Sequence, residues 1–106
     1  MRLIPPEEMS AIDANCEYSG LLPLQLMENA GASLARATKA KARGKNIAIV
    51  AGRGNNGGDA FAAARHLDGF EVTIFLLGRS KDIATEEAMR NWNILEKLGF
   101  DAREGL

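Results

Sequence analysis

The chain has 106 residues, enough for one small domain whose modest core removes about two-thirds of the unfolded surface from water. Its 46% hydrophobic and 25% charged content is that of an ordinary globular chain, and a net charge of −1 argues against a nucleic-acid partner. A lone cysteine, Cys16, excludes an internal disulfide and a cysteine-rich zinc site, and no apolar run approaches the roughly 20 residues of a membrane span.

The N-terminus carries no long apolar run of the kind found in a secretory leader, and the composition agrees with a reducing, cytoplasmic setting. Pro5-Pro6-Glu7-Glu8 predicts a helix start, with Met9, Ile12 and Cys16 at helical spacing and Gly20 as the stop. Cys16 has no basic neighbour in sequence and reads as a small packed hydrophobe. Pro23 opens a second helix that Gly44 closes, with Leu24, Met27, Ala30, Gly31, Leu34 and Ala37 as its apolar stripe. Within it, Glu28-Asn29 reads as a solvent-facing pair and Gly31 as an aid to close helix packing; a functional role for this polar pair is the alternative.

Residues 47–51 are a short branched apolar run and predict a strand. Four glycines, two asparagines and an aspartate follow within the eight residues from Gly52 to Asp59, and Ala60 to Leu67 continues as helix. Asp68-Gly69 predicts a turn and residues 71–77 a second strand, parallel to the first through a right-handed crossover. Thr85 is the expected N-cap of a last helix, with Glu86 and Glu87 in its first turn and Ala88, Met89, Trp92 and Leu95 as its buried stripe. Gly99 ends that helix, and residues 100–102 begin a third strand. Two or three parallel strands leave an edge unpaired, so the chain reads as the first half of a larger α/β domain.

The chemistry concentrates at Gly52–Asp59. Glycines there give the backbone access to positive φ and let a ligand approach without a Cβ in the way. Free N–H groups at the start of the following helix would receive an anion, and the helix dipole favours one. Gly52-Arg-Gly54-Asn-Asn-Gly57 also fits the dinucleotide pattern G-x-G-x-x-G, whereas a P-loop is excluded because no Lys-Ser or Lys-Thr follows. The acidic ribose ligand that pattern asks for after the second strand is replaced by Gly78-Arg79. Arg79 reads either as a partner for a 2′-phosphate or as a solvated arginine. Asn55, Asn56 and Asp59 add oxygens that suit a hard cation; the alternative is a plain Asn-Gly turn. His66, the only histidine, reads as a helix-surface or packing residue, and Trp92 as core.

Leu26-Met-Glu-Asn-Ala-Gly31, Gly52-x-Gly-Asn-Asn-Gly-Gly-Asp59 and Ala64-Arg-His-Leu67, in this order, resemble the YjeF N-terminal domain family, the NAD(P)H-hydrate (NAD(P)HX) epimerases. One departure from the motif is Ala60, where the family commonly carries a further glycine. The resemblance covers nearly all of residues 1–106, as the N-terminal half of the family domain. It implies a Rossmann-like three-layer α/β/α sandwich with a mainly parallel sheet, here truncated. It also implies an isomerase that interconverts the R and S epimers of hydrated NADH or NADPH. A route is reversible loss of hydroxide from the ring carbon, giving a planar cation, with re-addition on the other face under carboxylate acid–base control. Substrate binding falls on Asn55, Asn56, Gly57, Gly58 and Asp59, and a potassium ion on Asn56, with Asp59 expected to organise the loop. The family's catalytic aspartate lies beyond this chain, which implies little activity for the chain alone. The expected partners are a second copy of the chain and an NAD(P)HX dehydratase. The competing readings are a non-catalytic nucleotide- or ribose-phosphate-binding module and a protein-interaction module.

Overall fold

The computed structural model describes residues 22–106. The predicted first helix, with Met9, Ile12, Cys16 and Gly20, lies outside the described residues. Helix α1 spans Pro23–Lys41, with proline in the first turn and Lys39 and Lys41 in the last, where the dipole favours cations. Its buried residues are Met27, Ala30, Gly31, Leu34, Ala35 and Thr38, an i, i+3, i+4 progression. Leu24, expected on this stripe, lies in the first turn and is 41% exposed. Thr38 is buried at no cost in lost hydrogen bonding, because its hydroxyl donates to the Leu34 carbonyl at 2.8 Å.

Strand β1 (Asn46–Ala51) leads through Gly52–Gly54 into helix α2 (Asn55–Arg65). Strand β2 (Glu71–Leu76), a 3₁₀ turn at Ser80–Asp82, helix α3 (Glu86–Lys97) and strand β3 (Asp101–Arg103) complete the order. The sheet runs β1-β2-β3 with every pairing parallel, Ile49 opposite Ile74 and Ile74 opposite Ala102. This is the expected α/β class, strands alternating with helices that bridge parallel neighbours.

Alternation along the strands sets what is inside. Ile47, Ile49, Ala51, Ile74 and Leu76 are buried with the helices, whereas Val50, pointing the other way, is 44% exposed. Helix α2 is the hub, packing on α1, α3 and β1. Gly31 lets α1 come close, since a Cβ there would stand 2.5 Å from Ala62 Cβ. Phe61 of α2 meets Trp92 of α3 edge to face, ring centroids 5.3 Å apart, and both are fully buried. Thr85 caps α3 as expected, accepting from the Ala88 N–H at 3.2 Å.

Candidate functional site

The glycine-rich segment stands at the C-terminal ends of the parallel strands, where open α/β sheets form their ligand crevices. Its helix begins four residues earlier than Asp59: Asn55 to Asp59 are the opening residues of α2, not a loop. Gly54 is the N-cap, and the first backbone bond onto it is the Gly58 N–H to the Gly54 carbonyl at 3.1 Å. The N–H groups of Asn55, Asn56 and Gly57 therefore have no intrahelical acceptor and lie at the positive end of the dipole.

The reason for the glycines also differs from the expectation. None of Gly52, Gly54, Gly57 and Gly58 has positive φ. Gly57 and Gly58 are selected by space. A Cβ on Gly57 would collide with the Gly52 carbonyl oxygen, and one on Gly58 would collide with Met27 of α1 and lie 2.9 Å from Ala88 Cβ of α3. Gly52 and Gly54 face open space. One pair of glycines thus seats the start of α2 against Gly52, α1 and α3, and the other leaves the front of the turn bare.

The side chains of the segment divide sharply. Asn55 is exposed, and its Oδ1 accepts from the Thr85 hydroxyl at 2.6 Å. Asn56 is half-buried, with no side-chain hydrogen bond among the described residues. Asp59 is only 1% exposed and points into the interior. Arg53 lies across the end of β2: a Cβ on Gly78 would stand 2.9 Å from Arg53 Cδ, and the Arg53 carbonyl accepts from the Ala84 N–H at 2.7 Å. Arg79 is exposed. Beside it, Glu104 accepts from the Ser80 backbone and hydroxyl at 3.1 and 2.9 Å; these bonds, then the Arg79 charge, lower its carboxyl pKa.

Of the pair expected to face solvent, Asn29 is exposed and Glu28 is half-buried. It receives Arg65 through both guanidinium nitrogens and His66 through Nε2, and Arg65 also donates to Asn91 Oδ1 at 2.8 Å. Burial pushes the Glu28 carboxyl up, but the hydrogen bonds and charges of Arg65 and His66 outweigh it, leaving its pKa below the ordinary value. Asn91, 1% exposed, completes the cluster by donating to the Glu87 carbonyl at 3.1 Å. The cluster explains why Met-Glu-Asn-Ala-Gly and Ala-Arg-His-Leu occur together: their charged residues meet across α1 and α2. Its partners, Arg65 and Asn91, carry no local signal in the sequence.

A shallow depression of about 340 Å³ lies at the opposite end of the strands, lined by residues 71–73 and 98–101. It includes nothing of the glycine-rich segment, and the chemistry described above lies elsewhere. Among the described residues no group of three or more His, Cys, Asp or Glu is placed to hold a metal, and no helix is long and apolar enough to cross a membrane.

Parallel strands bridged by helices, with a glycine turn and a helix N-terminus at the C-terminal end of β1, define an open α/β protein. Residues 23–105 match the family described as YjeF-related protein N-terminus, and the chain belongs to that family. It is 48% identical over its whole length to a bifunctional NAD(P)H-hydrate repair enzyme Nnr of Archaeoglobus fulgidus, of which it spans 22%. It is 47% identical over 90% of its length to an NAD(P)H-hydrate epimerase of Cenarchaeum symbiosum, spanning 46% of that protein. A crystal structure of the yeast protein ynu0, YNL200c, superposes with a TM-score of 0.70 at 29% identity, over 98% of this chain and 47% of the yeast chain. The chain therefore spans about half the length of the epimerase relatives it matches, and a smaller share of the bifunctional ones.

Proposed function

We propose that residues 1–106 are the N-terminal half of an NAD(P)H-hydrate epimerase domain, acting on hydrated NADH or NADPH in the repair of nicotinamide cofactors. The observation that carries this reading is the bare turn at Gly52 and Gly54 in front of the unsatisfied amides of Asn55, Asn56 and Gly57. A phosphate fits such a turn through backbone N–H donors and the helix dipole, and the substrate is a dinucleotide. The names of the relatives, NAD(P)H-hydrate epimerase and bifunctional NAD(P)H-hydrate repair enzyme, support the substrate class and a dehydratase as functional partner.

Within the segment the side chains take different parts. Asn55, Asn56, Gly57 and Gly58 form the substrate-binding turn, and buried Asp59 organises it from behind. For potassium, Asn56 is the fitting ligand: its half-buried carboxamide oxygen is uncommitted among the described residues, whereas that of Asn55 is held by Thr85. One amide oxygen does not make a coordination shell, so such an ion needs further oxygens besides that of Asn56. A bound potassium ion would supply a fixed positive charge beside the substrate. The reading places the protein in the cytoplasm, as a dimer.

The test follows the R-to-S ratio of NADPH hydrate by chromatography with the purified protein, with and without potassium, against a no-protein control. Potassium-dependent acceleration that Asn56→Ala removes is the expected outcome for an epimerase. A second reading, a non-catalytic nucleotide-binding module, is favoured by the burial of Asp59, the motif's only carboxylate. Binding of the hydrate with no acceleration would establish that reading instead.

A further inference from the structure

We propose that Thr85 is a positioning residue for the ligand turn, fixing Asn55 as a hydrogen-bond donor to an anionic group. The inference rests on the ligand reading above. The Thr85 hydroxyl does two things at once. Its oxygen accepts from the Ala88 N–H at 3.2 Å as the cap of α3, and its proton goes to Asn55 Oδ1 at 2.6 Å. That separation belongs to an O–H···O bond, since N–H···O bonds centre near about 2.9 Å, and it decides which way round the carboxamide sits.

With its oxygen committed to Thr85, exposed Asn55 keeps its NH₂ as the carboxamide's remaining polar group. This NH₂ joins the backbone amides of Asn55, Asn56 and Gly57 as a further donor beside the bare Gly52–Gly54 backbone. The two adjacent asparagines thereby divide the work. Asn55 offers a donor to a phosphate, and Asn56 keeps its oxygen for a cation. The tie also freezes the Asn55 rotamer before ligand arrives, so the ordering cost is met in folding rather than in binding. Sequence separation hides this: the partners lie 30 residues apart, on two different helices.

The test measures ADP-ribose affinity by calorimetry for the wild type, Thr85→Ser, Thr85→Gly, Asn55→Ala and the Thr85→Gly/Asn55→Ala double variant. Glycine is nearly as good an N-cap as threonine, so Thr85→Gly removes the hydroxyl donor while leaving α3 capped. Expected are binding within about twofold of wild type for Thr85→Ser and about 3- to 10-fold weaker binding for Thr85→Gly. Asn55→Ala should bind at least as weakly, and the double variant no more weakly than Asn55→Ala alone, because both changes remove one interaction. In the ligand-free protein, the Asn55 carboxamide carbon resonance should move in Thr85→Gly and stay in Thr85→Ser. Equal affinity of Thr85→Gly and Thr85→Ser, losses that multiply in the double variant, or an unmoved carbon resonance would overturn the positioning role. No binding by the wild type would overturn the ligand reading and this role with it, an outcome visible before any variant is compared.

Discussion

A Cβ on residue 57 has nowhere to go, because the Gly52 carbonyl oxygen occupies that space. Alanine is the better helix former by about 1 kcal/mol, so an exposed helix interior would gain from Gly57→Ala. Here the change should instead lower stability by about 1–3 kcal/mol, because backbone must move to admit the methyl. Urea midpoints with an unchanged slope would record it, and a stabilised Gly57→Ala protein would show that the turn is looser than drawn. The glycines were legible in the sequence as a motif, but their purpose was not. Composition suggests positive φ, whereas Gly57 and Gly58 are chosen by neighbours at Gly52, on α1 and on α3 that only the fold brings near. For the same reason a run of Asn and Gly reads as loop, although tertiary packing makes it the first turn of α2.

Elements are tied by the Glu28 cluster, which joins α1 to α2 through Arg65 and His66 and reaches α3 through Asn91. The Glu28 carboxyl has a folded pKa below its unfolded value of 4.5, so its contribution is complete above that pH and is lost as pH falls through the folded pKa. Glu28→Gln should cost about 1 kcal/mol at pH 7, a modest figure because the carboxylate is 42% exposed. The gap between variant and wild type should close on acidification below pH 4.5, and denaturant titrations at stepped pH would follow it. A gap unchanged at low pH would mean that the lost acceptor oxygen, not the charge, carried the effect. Local signals were read well at this scale: Pro23 at the start of α1, Thr85 before Glu86 and Glu87, and Trp92 in the core. The ion pair was not readable, because Glu28 and Arg65 stand 37 residues apart and helical periodicity alone leaves Glu28 at the edge of its stripe.

For the molecule as a whole, among the described residues the sheet has one face against the helices and another that is partly bare. Ile49→Thr should cost about 1–3 kcal/mol by placing a hydroxyl in the core, whereas Val50→Thr, on the open face, should stay within about 0.5 kcal/mol of wild type. Thermal melts of the two would separate the faces, and a large loss from Val50→Thr would show that something covers that side. The parallel order and the place of the glycine turn at the end of β1 were readable from alternation and from the order of strand, glycines and helix. What stands beside β1 was not: among the described residues β1 pairs on one side only. That bare edge has a consequence in time. In relatives about twice this length, the remainder of the chain leaves the ribosome at about 5–20 residues per second, so some 100 residues separate the two halves by on the order of 10 s. Over that interval an edge strand left unpaired can template an extended peptide that it meets.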